Sequence, residues 1–432
     1  MNLIILNLFQ DIERNKMSKN IVVIGGGIMG LSAAYYLQQE GCQVTVIEQS
    51  NMDGGASYVN AGYITPSHII SLAAPGMMAK GIKWMFNSSS PFYMKPRLNM
   101  DFIRWAWYFN RSATSEKVQK AIPVIRDINL LSKDLYQDWH DSGVLGTFQW
   151  DKRGLLMLYK TDKAGEGEAR IAQLAADQGL EVGILNAEEV RNIEPTVAVD
   201  VKGAIHYRCD AHTTPTEIMP KLKKYLEKKG VRILKNEEVM DLVYQGDIIS
   251  NVITTKQEYK ADTFVLASGA WSMTLAKKLR LKLPLEAGKG YRINVARPTN
   301  IQYPAVLMER KVAVTPMIGF TRFAGTMEFS GINDIIRKER VQAIAKAGEE
   351  YYQDLHIQQE EMDAAQFGMR PVTPDGLPYI GASKKYRNLL FATGHAMMGW
   401  SLGPATGKLI AEIIAGKKLS MQIEAFDPDR KF

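Results

Sequence analysis

The stretch that most limits how this chain can fold is Asn20 to Glu48, NIVVIGGGIMGLSAAYYLQQEGCQVTVIE. Ile21 to Ile24 form a continuous apolar run, as a strand buried on both faces of a parallel sheet does. Gly25, Gly27 and Gly30 follow with G-x-G-x-x-G spacing: the first permits a tight turn, the second leaves room for a pyrophosphate, and the third lets the next helix pack closely. Ile28 and Met29 open that helix, whose free N–H groups and positive dipole end attract phosphate. Leu31, Ala34, Tyr35 and Leu37 fit one helical face as far as the stop at Gly41. Val44 to Ile47 read as a second strand. Glu48, followed by Gln49, stands 18 residues after Gly30, where a carboxylate accepts from a ribose 2′-hydroxyl and disfavours a 2′-phosphate. The stretch therefore predicts an adenine dinucleotide site, and by itself it serves NAD as well as FAD.

At 432 residues the chain has room for two domains with sizeable cores. Its two cysteines, Cys42 and Cys209, lack metal-site or CxxC spacing, so buried thiols in a reduced, cytoplasm-facing compartment are expected. Residues 1–16 have a short apolar run with no cationic region before it and no small-residue cleavage site after it. They read as an extension outside the fold, with Met17 a natural start. The formal charge of +7 is uneven: from Gly76 to Arg111 there are six cations and one anion, Asp101, interleaved with Trp84, Trp105, Trp107 and other aromatics. Two readings stay open for 76–111: a helical cap packing its aromatics on its own core, or a helix lying on an anionic membrane surface. Nucleic acid is a poor third, because no recognition motif accompanies the patch.

Further along, residues 76–145 are largely helical by pattern, Arg153 to Lys160 read as a strand, and Ala164 to Gly179 as an amphipathic helix. NAEEVRNIEP reads as a capped turn. His206 and His212 have no acidic or sulfur ligand at usable spacing and are expected to be loop or core histidines; no metal is expected. Asp262 to Trp271 is a buried strand running into a glycine turn, which brings Ser268, Gly269 and Trp271 to the cofactor edge of the sheet. Residues 284–366 alternate apolar and polar residues, as an antiparallel sheet does, before a helix from Asp334 to Asp354.

Five phrases then carry a family likeness: NAGYITPS (60–67), KGYRI (289–293), RFAGTMEFSG (322–331), RPVTPDGLPYIG (370–381) and TGHAMMGWSLGPATGKLIAEI (393–413). With 21–48 they resemble the FAD-dependent D-amino-acid oxidase superfamily, nearest to the bacterial D-amino-acid dehydrogenase small-subunit family. The resemblance implies an α/β fold with a discontinuous Rossmann-like FAD-binding domain (17–90, 205–285 and 365–432). It also implies a substrate domain (91–204 and 286–364) with a mixed, largely antiparallel sheet and helices. It places Gly25, Gly27 and Gly30 at the pyrophosphate, Glu48 at the adenosine ribose, and Ser57, Asn60, Ala61 and Gly62 near the phosphates or flavin. Val239 fits the adenine position. The run from Gly394, with Met398, Gly399, Trp400, Ser401 and Leu402, would turn backbone N–H groups toward the flavin pyrimidine edge. No cysteine lies between Gly368 and Gly403, so the FAD is expected to be noncovalent.

Oxidising an amino acid to an imine moves a hydride from Cα to flavin N5, so the protein must fix the carboxylate, exclude water and hold Cα against the ring. Arginine suits a carboxylate because it binds bidentately and stays charged. The resemblance implies Arg322 and Arg370 in the substrate site, with Tyr291 as a phenolic donor and His395 before the flavin-facing loop. The expected function is oxidation of a D-amino acid, with electrons passed to a quinone or protein acceptor. The alternatives are a D-hydroxyproline or D-proline dehydrogenase and a glycine- or sarcosine-oxidase-like enzyme. Other classes are an NAD-dependent dehydrogenase and a non-catalytic flavoprotein. The expected location is cytoplasmic, with peripheral contact to the inner membrane face if 76–111 lies on lipid.

Overall fold

A computed structural model describes residues 19–76, 92–95, 97 and 99–432. The 1–16 extension and most of the 76–99 half of the basic aromatic segment lie outside the described residues.

The apolar run at the start does form an interior strand. Asn20–Ile24 pairs in parallel with Gln43–Ile47 on one side and with Thr263–Leu266 on the other. Arg232–Leu234 extends the sheet beyond Gln43–Ile47, and Leu389–Thr393 and the antiparallel Tyr379–Ala382 extend it the other way, giving six strands among the described residues. Helix Ile28–Gln39 covers one face, its residues buried almost all round. It earns that burial by packing against the C-terminal helix Gly399–Ala415 and the long helix Ser115–Asp141, so that Leu31, Leu37, Ile128, Tyr136, Leu402 and Leu409 share one core. At about 25 cal/mol per Å², burying such side chains is what holds helix to sheet.

The alternating segments build a second, mixed sheet of nine strands among the described residues. Near one edge of it Glu286–Val295 runs antiparallel to both Phe320–Phe329 and the edge strand Gln366–Val372. Tyr291, Ile293 and Phe323 point to one face and pack with Ile344 of helix Lys338–Tyr351. The opposite face looks toward the six-stranded sheet. Two strands and one helix lie apart from their expected segments. Gln366–Val372 pairs in the mixed sheet because its ladder partner is Glu286–Val295, Gly203–Tyr207 pairs with Leu155–Tyr159 across the expected boundary at 204/205, and Ser115–Asp141 packs in the core of the cofactor side. NAEEVRNIEP does start a helix, Ala187–Ile193, with a capping box between Asn186 and Glu189. A small antiparallel pair, Tyr63–Ile64 with Ala211–His212, lies beside the Ser67–Asp210 hydrogen bonds that join the 60–70 loop to the following strand turn.

Helix Met100–Ser112 resolves half of the question about 76–111. Phe102, Trp105 and Phe109 are buried against Phe329 and Val372, and Trp105 Nε1–H donates to Val372 O at 2.9 Å. Met100, Ile103 and Trp107, at i, i+3 and i+7, are exposed by 69%, 46% and 53%. One face is thus a core cap and the other an apolar stripe. No helix among the described residues is long and apolar enough to cross a membrane.

Candidate active site

The cofactor cradle begins where the first strand ends. Gly25 has φ 110°, and a Cβ there would lie 2.5 Å from Ala267 O; a Cβ on Gly30 would lie 1.9 Å from Gly25 O. These approaches tuck the turn against the sheet and aim the N-terminus of Ile28–Gln39 at a cavity of about 560 Å³. Gly27 at the N-cap offers no side-chain cap, so the first-turn N–H groups face the cavity edge without helical partners. Ile28 N–H is held by Ser57 Oγ at 2.9 Å. Glu48 is fixed by Gly26 N–H at 2.7 Å and by Ser50 N–H and Oγ at 2.9 and 2.7 Å. A carboxylate has about four acceptor sites, so capacity remains for a ribose hydroxyl.

From that end the cavity runs past Gln49, Val239, Ser268, Gly269 and Trp271 to Gly399, Trp400, His395 and Arg370. Its volume, the phosphate-ready turn and the ribose-ready carboxylate fit a dinucleotide with a bulky second end. Asn60 also lines it and shapes its own loop, donating to Ala56 O and Ser57 O and accepting from Gly62 N–H. Gly30, Ala61, Gly62, Gly394, Met398, Ser401 and Leu402 lie behind the lining rather than in it. Ser401 Oγ, for example, accepts from Thr65 N–H and donates to Asn129, which fixes the C-terminal helix to the loop beneath it. Glu237 and Glu238 also line the cavity next to Val239, and their position just before the residue matched to adenine is the sequence signal for them.

The four expected substrate-site residues separate. Arg370 borders the cavity with its guanidinium over Gly290, where a Cβ would collide with it at 2.2 Å. It donates to Thr326 O at 2.8 Å, and burial pushes it down to about 10. Arg322 is fully buried and does not line the cavity. It donates to Asn294 Oδ1, Tyr58 O and Asn60 O at 3.0, 2.8 and 2.6 Å, and burial followed by the charge of Arg292 pushes it down to about 9. In this placement it braces the loop rather than offering a fork to the cavity. Tyr291 borders the cavity, but its phenol turns to the other face of the sheet and donates to Glu328 Oε2 at 2.8 Å. The reason is pleat: Tyr291 shares a side with Ile293, while Gly290 faces the cofactor. His395 is 1% exposed and bonded to Thr406 Oγ1 at 2.9 Å, and burial holds it neutral by lowering it to about 3. Ala396 beside it has φ 47°, a left-handed turn held by its N–H to Pro371 O at 2.9 Å. His206 bonds to Arg153 O and His212 to Pro316 O, and no metal-ligating cluster occurs among the described residues.

Comparison with known proteins agrees with this geometry. The DAO family, described as FAD dependent oxidoreductase, matches residues 20–413. A D-amino acid dehydrogenase of Helicobacter pylori is 32% identical over 400 residues, covering 92% of this chain and 95% of that protein. Glycine oxidase from Geobacillus kaustophilus superposes with a TM-score of 0.76 at 21% identity, covering 96% of this chain and all of that one. L-proline dehydrogenase from P. horikoshii does so with a TM-score of 0.73 at 20% identity, covering 95% and 97%. At such identities the two structures speak for the fold alone, whereas the sequence match spans the glycine turn, the arginine strand and the closing helix together. The dinucleotide cradle is accordingly an FAD cradle, and the chain belongs to the DAO family of FAD-dependent oxidoreductases.

Proposed function

We propose that the protein oxidises a small D-amino acid at Cα, with Arg370 binding the substrate carboxylate. The observation that carries this reading is a guanidinium at the cavity edge that has no carboxylate partner among the described residues and rests over a glycine. An unpaired buried cation is costly, so an anionic ligand is its natural complement. Bound FAD supplies the electron acceptor: a hydrogen and two electrons leave Cα while the amine lone pair forms the C=N bond and the amine sheds a proton. Water then adds to the imine and releases a keto acid and ammonia. The chain's own part is positional. Arg370 orients the carboxylate, the apolar walls around Phe367, Met369 and Ala396 exclude water, and His395, lowered to about 3, is too weak a base to take the ammonium proton, so the amine enters already neutral.

The supporting relative is named for D-amino acids, which favours the D-series over glycine or a cyclic secondary amine. The decisive assay is anaerobic mixing of the yellow holoenzyme with D-alanine, D-proline, glycine, sarcosine and the L-enantiomers. Bleaching of the flavin by D- but not L-substrates is expected. A flavin that none of them bleaches would remove the reading.

For the acceptor, the exposed stripe of Met100, Ile103 and Trp107, flanked by Arg104 and Arg111, supports contact with an anionic bilayer and so a membrane quinone. Sedimentation with phosphatidylglycerol vesicles, reduced in Trp107→Ser, tests it; equal recovery of both proteins without vesicle binding would sink it.

A further inference from the structure

Three arginines share the face of the mixed sheet that looks toward the cofactor. The register puts them there: Gly288 pairs with Arg370, Gly290 with Gly368 and Arg292 with Gln366, while Asn294 pairs with Arg322 on the other side. Paired residues point to one side of a sheet and alternate along each strand, so Arg370, Arg292 and Arg322 form a row. The direction of that face is fixed by Gly368, where a Cβ would meet Val59 Cγ2 at 2.6 Å and Ala56 Cα at 2.9 Å, and by Arg322 donating to the carbonyls of Tyr58 and Asn60.

None of the three has an anion among the described residues. Arg322 has only neutral acceptors and its Nη2 has none; Arg292 donates to Gln366 Oε1 at 2.6 Å and its Nε has no partner; Arg370 has Thr326 O and Met327 Sδ. The nearest strand carboxylates are engaged elsewhere. Glu286 pairs with Arg97 at 2.7 Å, and Glu328 lies on the opposite face with Tyr291, Arg337 and Arg340. Arg322 is fully buried and Arg292 and Arg370 are half-buried; charges removed from water are ordinarily paired, so an uncompensated row of this kind is a cost retained for something. Burial pushes all three down, and for Arg322 the charge of Arg292 adds to it. A substrate carboxylate at Arg370 would neutralise one and leave two.

We propose that Arg292 and Arg322 are electrostatic positioning residues that, from behind the cavity wall formed by Gly290, Gly368 and Arg370, hold a fixed positive field at the cofactor site and make bound FAD a stronger electron acceptor. The proposal rests on the FAD-dependent oxidation described above. Reduction places negative charge on the ring system, and a preorganised positive field in a low-dielectric setting favours that charge without touching substrate.

Sulfite adds to oxidised flavin at N5 to give an anionic adduct, so its dissociation constant reads the same field with no amino acid present. The holoenzymes of Arg292→Gln and Arg322→Gln are expected to bind sulfite about tenfold more weakly, and their two-electron midpoint potentials to fall by about 30 mV, the equivalent of tenfold for such a couple. Arg322→Lys, which keeps the charge but loses the fork to the two carbonyls, should stay within about twofold of the parent, well under the ~1.4 kcal/mol of a tenfold change. Among the described residues no hydrogen bond joins Arg292 to the 58–60 loop, so Arg292→Gln decides the matter even if Arg322→Gln releases its flavin. An unchanged sulfite constant and potential in Arg292→Gln overturns the proposal, as does a shift in Arg322→Lys equal to that in Arg322→Gln. Because neither readout uses an amino acid, this failure is separable from a wrong choice of substrate.

Discussion

The Gly25–Gly30 turn and the Arg370 face open on one cavity but grip by different means. In the first the contacts are main-chain N–H groups whose aim is set by two close backbone approaches, and the one committed side chain, Glu48, is held by three donors. In the second the contacts are side chains from strands that lie far apart in sequence, and the glycines there only clear space, as Gly290 does for Arg370. A main-chain site tolerates no added atom, yet it says little about which dinucleotide is bound. A side-chain site accepts graded change, and each change is read in substrate kinetics. The contrast can be tested one half at a time.

The largest effect is expected in the turn. In Gly30→Val the first new carbon would lie 1.9 Å from Gly25 O, a clash that only backbone movement relieves, so the helix N-terminus would lose its aim. The purified protein should be colourless; stoichiometric FAD absorbance in this variant would show that the cradle does not depend on the approach. Next comes Arg370→Ala. Removing one partner of a buried charged pair costs about 2–5 kcal/mol, so kcat/KM should drop by roughly a hundredfold or more. Flavin absorbance should stay intact, because Arg370 serves the second half alone. Equal kinetics would remove the carboxylate clamp.

That contrast also explains what could be read in advance. The strand, turn, helix and acid of the cradle are contiguous, and each step has its own physical signature, so residues 20–48 sufficed for the dinucleotide. Arg370 was legible only through the RPVTPDG phrase. The alternation in GKGYRINV shows that Tyr291 and Arg292 point to opposite faces, but not which face meets the cofactor; that is decided by Gly368 lying against Ala56 and Val59, residues more than 300 positions away. That Arg322 lies outside the cavity lining is hidden for the same reason: the carbonyls of Tyr58 and Asn60 to which it donates come from a distant part of the chain. The sheet membership of 366–372 likewise depends on a ladder partner some 80 residues earlier.

A third test works through stability. Asp210 is fully buried and accepts from Ser67 N–H and Oγ at 3.0 and 2.5 Å; burial nevertheless outweighs these donors and raises its carboxyl to about 7. With an unfolded value near 3.9, the folded chain holds the extra proton between the two, so this group's contribution is full below about pH 4 and lost as pH rises through about 7. Unfolding free energy should fall by about 3 kcal/mol from pH 5 to pH 7.5 on this account, and Asp210→Asn should flatten the decline. Parallel urea titrations at both pH values check it; an equal slope in the variant would clear Asp210. A smaller effect is expected from Gly290→Ala, whose methyl would press on the Arg370 guanidinium. KM should rise about tenfold, near 1.4 kcal/mol, with kcat and FAD content little changed.

The smallest effect concerns His395. His395 borders the cavity, yet its imidazole is buried and neutral, with a value lowered to about 3, and its bond to Thr406 ties it to the C-terminal helix. A group that ionises near 3 cannot change charge between pH 6 and pH 10, so His395 is not the source of a rise in kcat/KM across that range, and the substrate ammonium losing its proton is the expected one. His395→Asn should therefore leave the shape and midpoint of the pH profile in place while lowering its height by a few-fold, less than ~1.4 kcal/mol. A midpoint that moves in this variant would mean that His395 exchanges a proton during turnover, and the substrate half would then hold an acid–base group as well as a carboxylate fork.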